Sequence, residues 1–133
     1  TALIPPFELS TALSRGVLPH DVPRADAIFN VSRAALLLSA LGSGDIALLR
    51  AAMADRLHEP YRRALIDGYD TARGLAYKHG AEAMCISGAG STLLCVAAHP
   101  SLAGDISADL AAHLPGWRAV TLLPELEGAH VEE

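Results

Sequence analysis

The segment "AMCISGAGSTLLCV", residues 83–96, predicts two strands joined by a turn, and the rest of the fold is predicted around it. Two short apolar runs, AMCIS and TLLCV, flank a segment of small residues, and runs of that length beside glycine are typical of β-strands. The segment between them predicts a tight hairpin turn. A turn at residues 88–91 would place Cys85 opposite Leu94 and send the Cys85 and Cys95 thiols to opposite faces of the sheet. Both thiols are therefore interpreted as small buried groups.

Outside the hairpin, apolar residues recur mostly at helical spacing. A helix from about Pro23 to Leu41 is predicted to carry an apolar stripe of Ile28, Val31, Ala35 and Leu38. The next helix is predicted to run to about His58, with Pro60 marking its end, because proline disfavours helical backbone in the residue before it. Further helices are expected near residues 10–18, 67–80 and 102–114, and further strands at residues 1–4 and 117–123.

The predicted order is one strand, several helices, a strand hairpin, a helix and a last strand. This order indicates an α+β domain in which helices pack on one face of an antiparallel sheet. With 133 residues, of which 51% are hydrophobic, the chain is long enough for one domain with a sizeable core. No internal repeat or flexible linker divides it.

Composition argues against several functional classes. The net charge is −5 at pH 7 and no run of Lys or Arg occurs, so nucleic-acid binding is not expected. The longest apolar run, residues 34–41, is far shorter than a membrane span. Two cysteines without a CxxC motif favour a reducing, cytoplasmic location. The chain starts at Thr1 within a predicted strand, so we expect it to be a fragment of a longer protein.

The segment of small residues is the first candidate for chemistry. It consists of Ser87, Gly88, Ala89, Gly90, Ser91 and Thr92. Glycine and alanine leave backbone N–H groups unobstructed, so an anion or a neighbouring backbone can approach closely. A plain hairpin turn explains the same composition, and the segment has neither the spacing nor the lysine of a P-loop. Taken alone, the residues leave both interpretations open.

Arginines are the second candidates. An isolated arginine is by default a solvated surface charge, whereas two guanidinium groups that converge on one carboxylate form a recognition site. Thr11 and Arg15 lie four residues apart and share a helix face. The other candidates are Arg33, Arg62 and Arg63. The six histidines show no metal-binding spacing, so no metal site is expected.

Four segments carry a resemblance to a known family: "ELSTALSRGVLP", "DAIFNVSRAALLLSAL", "DRLHEPYR" and "ISGAGSTLLCV". In this order and separation they strongly resemble the C-terminal half of the homoserine kinases, a group within the GHMP family of small-molecule kinases. The segment SGAGST is similar to the third motif of that family. The resemblance implies that residues 1–133 form a ferredoxin-like domain and that the N-terminal half, with its ATP-binding loop, is absent from this chain.

The resemblance also implies a site. In the family, one threonine and two arginines face the substrate, and carried over to this sequence they are Thr11, Arg15 and Arg62. Arg63 is left as an alternative to Arg62, and Asn30 and Arg33 match the family as weaker candidates. The Gly-rich segment would support the phosphates without doing bond chemistry, so no catalytic residue is expected in this half. ATP and Mg²⁺ would be held mainly by the missing half.

The implied activity is transfer of the ATP γ-phosphoryl group to the hydroxyl of L-homoserine, in threonine biosynthesis. The isolated chain is expected to be inactive. One alternative is another GHMP kinase with a different alcohol substrate, and a second is a stand-alone ferredoxin-like module that binds an amino acid or a partner protein. The expected partners are L-homoserine and the N-terminal half. Homodimer formation and regulation by threonine are left open.

Overall fold

The computed structural model describes residues 1–125 and residue 128. Within that part of the chain, strands pair into one four-stranded antiparallel sheet with the order β2-β3-β1-β4. The strands are β1 (Ala2–Ile4), β2 (Ala83–Ile86), β3 (Leu93–Val96) and β4 (Arg118–Val120). The prediction of an α+β domain with an antiparallel sheet is confirmed, but helices pack on both faces of the sheet and not on one.

Helices occupy the connections between the strands. They are α1 (Thr11–Gly16), α2 (Arg24–Ser43), α3 (Ile46–Ala52), α4 (Glu59–Arg62), α5 (Tyr69–Lys78) and α6 (Leu102–His113), with a 3₁₀ turn at Arg63–Leu65. The helix α6 connects β3 to β4, and β2 and β3 form the predicted hairpin. This order of strands and helices places β1 and β3 at the centre of the sheet and β2 and β4 at its edges.

The main core lies between one face of the sheet and the helices α5 and α6. Because side chains alternate along a strand, Leu93 and Cys95 of β3 point into this core, together with Leu3 of β1. Each is at most 1% exposed. In the observed register Cys85 lies opposite Leu94, so Cys85 lies on the other face from Cys95, as predicted. Burial raises the pKa of the Cys95 thiol to about 12.

A second, smaller hydrophobic cluster holds α2 and α3 against the opposite face of the sheet. Ala40 of α2, Leu49 of α3 and Ala83 of β2 form its buried centre. The apolar stripe predicted on α2 does not point into this contact, since Val31 is 72% exposed and Leu38 is 75% exposed. Helical spacing establishes that these residues share a face, but it cannot tell whether another element of the same chain covers that face.

The prediction that the helix after α2 runs to His58 is wrong. Helix α3 ends at Ala52, and Pro60 lies in the first turn of α4 instead of marking the end of α3. Proline is tolerated in a first helical turn because its missing N–H would have no partner inside the helix. Asp55 follows three residues after the end of α3, and its carboxylate accepts hydrogen bonds from the Leu57 and Glu59 backbone N–H groups at the start of α4.

Candidate functional site

Helix α1 presents two of the predicted substrate residues to solvent. Ser10 begins the helix, and its Oγ accepts a hydrogen bond from the Leu13 backbone N–H at 3.1 Å. Thr11 and Arg15 are exposed, whereas Ser14 is fully buried. Within residues 1–125, no hydrogen bond or ion pair engages the Arg15 guanidinium. Arg15 is therefore an unpaired cation at the surface of α1.

Arg62, at the end of α4, joins helix α1 to the Gly-rich loop. Its Nε donates to the Ser14 carbonyl oxygen at 3.1 Å, and its Nη1 donates to the Gly88 carbonyl oxygen at 3.0 Å. A guanidinium group carries five N–H donors, so about three remain for a ligand. The two carbonyl contacts hold the group in one orientation, as a recognition site for a carboxylate requires.

Asp55 positions α4 and hence Arg62. Its carboxylate accepts hydrogen bonds from the backbone N–H groups of Leu57 at 2.8 Å, His58 at 2.9 Å and Glu59 at 2.7 Å. The Asn30 side-chain amide donates to the same carboxylate at 2.5 Å. Burial raises the pKa of Asp55, but these hydrogen bonds outweigh it and hold the pKa at about 2. The carboxylate is therefore ionised at neutral pH and fixes the start of α4.

The Gly-rich loop is closed at its base and leaves backbone donors free at its tip. The Ser87 N–H donates to the Thr92 carbonyl oxygen at 2.9 Å, and the Ser91 hydroxyl donates to the Phe7 carbonyl oxygen at 2.6 Å. The N–H groups of Gly88 and Ala89 bond no group in residues 1–125. Adjacent unpaired N–H groups in a turn form a concavity suited to an anion.

A concavity of about 240 Å³ lies beside Arg62 and Gly88. Its other walls come from the start of α4 and from β2: Asp55, His58, Glu59, Cys85 and Ile86. The Glu59 carboxylate accepts a hydrogen bond from the Tyr69 hydroxyl. Burial, followed by the Glu59 contact, raises the pKa of Tyr69, so the hydroxyl stays protonated and remains a donor. Arg62 is the arginine in the lining of this concavity, which also includes the Asp55 and Glu59 carboxylates.

Arg63 lies elsewhere. It lines a wider depression of about 620 Å³ with Phe7 and Trp117, which contains none of the predicted substrate residues. It also lines a hollow of about 220 Å³ beside Tyr77. Between the two adjacent arginines, it is Arg62 that contacts α1 and the Gly-rich loop.

The weaker candidates Asn30 and Arg33 have structural contacts in this chain. Besides its bond to Asp55, Asn30 accepts a hydrogen bond from the Arg56 backbone N–H at 2.9 Å. The Arg33 guanidinium lies 4.5 Å from the centre of the Phe29 ring. Asn30 therefore attaches α2 to the segment that leads into α4. Arg33 stacks on a residue of its own helix, and its Nη1 donates to the Ala51 carbonyl oxygen of α3 at 3.4 Å.

Asp55, which positions α4 and Arg62, is a residue of the candidate site that was not predicted from the sequence. An available signal was its position four residues before Glu59, at the start of a helix whose first turn contains proline. In the described residues, no group of three or more His, Cys, Asp or Glu side chains is placed to hold a metal ion.

Comparison with known proteins identifies relatives along the whole domain. A protein from Crocosphaera subtropica named homoserine kinase is 54% identical over 97 residues, which cover 73% of this chain and 31% of the relative. The homoserine kinase of Microchaete diplosiphon is 43% identical over 129 residues, or 97% of this chain and 41% of the relative. The chain thus spans only about a third to two fifths of the length of these relatives.

A solved structure and a family model agree with these relatives. The crystal structure of homoserine kinase from Cytophaga hutchinsonii superimposes with a TM-score of 0.77 at 26% identity, over 84% of this chain and 35% of that one. Residues 37–116 match the model described as "GHMP kinases C terminal". This match spans more than half of the chain and includes α4 and the Gly-rich loop. The chain therefore belongs to the GHMP kinase family and represents its C-terminal domain.

Proposed function

We propose that this chain is the substrate-binding half of a homoserine kinase, with Thr11, Arg15 and Arg62 facing L-homoserine. The observation that carries the proposal is the Arg62 guanidinium, held by the Ser14 and Gly88 carbonyl oxygens with further N–H donors unused. The α-carboxylate of an amino acid matches such a planar group of donors. The name shared by the relatives from Crocosphaera subtropica and Microchaete diplosiphon supports L-homoserine as that amino acid.

Arg15 and Thr11 complete the proposed substrate contacts. The Arg62 Nε bonds the carbonyl oxygen of Ser14, the residue immediately before Arg15 in α1. Arg15 has no competing acidic partner among residues 1–125, so its charge remains available for the same carboxylate. Thr11 lies one helical turn earlier on the same face and offers a hydroxyl group. These residues bind and orient the substrate, and none of them accepts or transfers the phosphoryl group.

The Gly-rich loop supports the phosphates of the second substrate. ATP, when bound, supplies the γ-phosphoryl group that is transferred to the homoserine hydroxyl. The unpaired N–H groups of Gly88 and Ala89 fit a phosphate oxygen, and Arg62 places the loop directly beside the amino-acid site. ATP and Mg²⁺ are held mainly by the part of the polypeptide outside this chain, so the chain alone is inactive.

Steady-state kinetics of the longer polypeptide test the proposal. We expect Arg62→Ala and Arg15→Ala to raise KM for L-homoserine by roughly 10- to 100-fold, because each removes a charge-assisted hydrogen bond. KM for ATP should change far less. The matched control is Arg63→Ala, which removes the same charge one residue away, from a side chain that lines a different depression.

Two results would contradict the proposal. Equal increases in both KM values for Arg62→Ala would mean that the arginine supports the domain as a whole and not the carboxylate. No phosphorylation of L-homoserine by the unsubstituted longer polypeptide, with activity on another alcohol, would favour a different GHMP kinase.

We expect the protein to act in the cytoplasm, since Cys85 and Cys95 are both free thiols.

A further inference from the structure

Three arginines line one small hollow beside the edge strand β2. The hollow has a volume of about 220 Å³, and its walls include Arg50 of α3, Arg63 of the 3₁₀ turn and Arg73 of α5. The whole chain has ten Lys and Arg residues and a net charge of −5, so this hollow is a local concentration of positive charge on an acidic protein. It contains none of the residues proposed to face L-homoserine.

One aromatic ring holds two of these guanidinium groups. The Arg50 guanidinium lies 4.6 Å from the centre of the Tyr77 ring, and the Arg73 guanidinium lies 5.6 Å from it. Arg50 is held further by the edge of the sheet, since its Nε donates to the Glu82 carbonyl oxygen at 3.1 Å and its Nη2 to the Ala81 carbonyl oxygen at 3.5 Å. The two groups are therefore positioned before any ligand binds, which lowers the entropy cost of binding.

Most of the N–H donors on these arginines are unused. Within residues 1–125, no ion pair engages any of the three, and no hydrogen bond engages the guanidinium group of Arg63 or Arg73. A guanidinium group carries five N–H donors, so even Arg50, with two in use, keeps about three. Unpaired donors on several sides of one hollow suit an anion that has several acceptor oxygens.

Two carboxylates also line the hollow, and both already accept hydrogen bonds from the protein. Asp55 accepts from the backbone at the start of α4 and from the Asn30 amide. Glu59 accepts from the Tyr69 hydroxyl, which lines the hollow as well. The three positive charges thus exceed the two negative ones, and the negative groups have donors of their own. This balance favours the binding of an added anion over that of a cation.

We propose that this hollow binds a phosphate group, presented by free phosphate or by a small phosphomonoester. A phosphate group has several acceptor oxygens and a charge near −2, so it can accept hydrogen bonds from the Arg50 and Arg73 guanidinium groups at the same time. The inference goes beyond the proposed function and does not depend on it, because the site lies apart from Thr11, Arg15 and Arg62 and assumes no particular substrate.

Titration of the longer polypeptide with inorganic phosphate, followed by nuclear magnetic resonance at constant ionic strength, tests the site. With ¹³C-labelled arginine, we expect saturable shifts of the Arg50 and Arg73 side-chain signals. Arg73→Gln should weaken the affinity at Arg50 by about tenfold or more, because it removes charge-assisted donors from an exposed side chain. The matched control is Arg118→Gln, which removes the same charge from an exposed position on β4, at the opposite edge of the sheet, and should leave the affinity unchanged.

Three results would overturn the proposal. No saturable shift at Arg50 and Arg73 would mean that the two groups only pack on Tyr77. Equal, unsaturated shifts at these arginines and at Arg118 would mean that phosphate only screens the surface charge. Binding of succinate as tight as that of phosphate would mean that the hollow accepts carboxylates in general.

Methyl phosphate distinguishes the two sources of the phosphate group. Tighter binding of methyl phosphate than of inorganic phosphate at Arg50 and Arg73 would identify a phosphomonoester as the ligand, and equal or weaker binding would identify the free ion. Because the arginine signals report only on their own surroundings, phosphate bound elsewhere on the longer polypeptide does not affect this readout.

Discussion

At the scale of single residues, the conformation of the Gly-rich loop depends on two positions, Gly90 and Ser91. Gly90 has a φ of +91°, which disfavours any residue with a Cβ, and an added Cβ would lie 3.3 Å from Ile66 and 3.4 Å from Leu9. Ser91 fixes the same loop to the start of the domain through its bond to the Phe7 carbonyl oxygen. The loop is therefore packed on one side and open on the side of Gly88.

Gly90→Ala should destabilise the domain by about 1–3 kcal/mol, because it combines an unfavourable backbone conformation with crowding. Gly88→Ala is the matched control, since its φ is also positive, at +58°, but nothing lies within 4 Å of an added Cβ. Gly88→Ala should cost about 1 kcal/mol. Urea unfolding of the two variants measures the difference, and equal losses would show that backbone conformation alone matters.

At the scale of elements, short helices are placed by the polar groups at their ends. Helix α4 has only four residues, far too few to be stable by itself, and its position depends on the Asp55 carboxylate. Helical periodicity could not predict this break, because the apolar residues on both sides of it continue the same spacing. The position of Asp55, four residues before Glu59, is the signal for this break, and a single longer helix fits the same sequence.

Asp55→Asn should lower stability at pH 7 by about 1–2 kcal/mol, once solvent screening of this partly exposed carboxylate is allowed for. The pKa of Asp55 is about 2 in the folded protein, below its ordinary value of 3.8. The charge-dependent stability is therefore complete above pH 3.8 and is lost as the pH falls through about 2.

Thermal unfolding of the wild type and Asp55→Asn at pH 7 and at decreasing pH checks this prediction. The difference in stability between them should shrink as the pH approaches the folded-state pKa. The control is Asp67→Asn, an exposed aspartate just before α5, which should behave like the wild type. A stability difference for Asp55→Asn that does not change with pH would contradict an ionic role for the carboxylate.

At the scale of the whole molecule, the chain has one well-packed face and one incomplete face. The sheet and the helices α5 and α6 bury a continuous core, whereas Val31 and Leu38 of α2 remain mostly exposed. The proposed substrate residues lie at the surface as well, since Thr11 and Arg15 are exposed. Such an arrangement fits a domain whose binding site is completed by a further part of the polypeptide.

Isothermal titration of the 133-residue chain with L-homoserine, and separately with Mg-ATP, should show no binding of either ligand in the millimolar range. The longer polypeptide, measured in the same buffer, serves as the positive control and should bind both. Submillimolar binding of an amino acid by the isolated chain would contradict the proposal that this chain forms only part of the binding site. It would favour a self-sufficient binding module.

The hairpin register, the order of the strands along the chain and the family could all be predicted from the sequence. The register and the strands follow from the alternation of apolar residues and from the turn residues. The family follows from motifs whose spacing can be read without knowing which residues are in contact. The folded structure was needed to show that Arg62 and not Arg63 contacts the Gly-rich loop, and that the apolar stripe of α2 faces outward. Both depend on which groups from distant parts of the chain meet in space. Periodicity defines the faces of an element but does not identify what covers them.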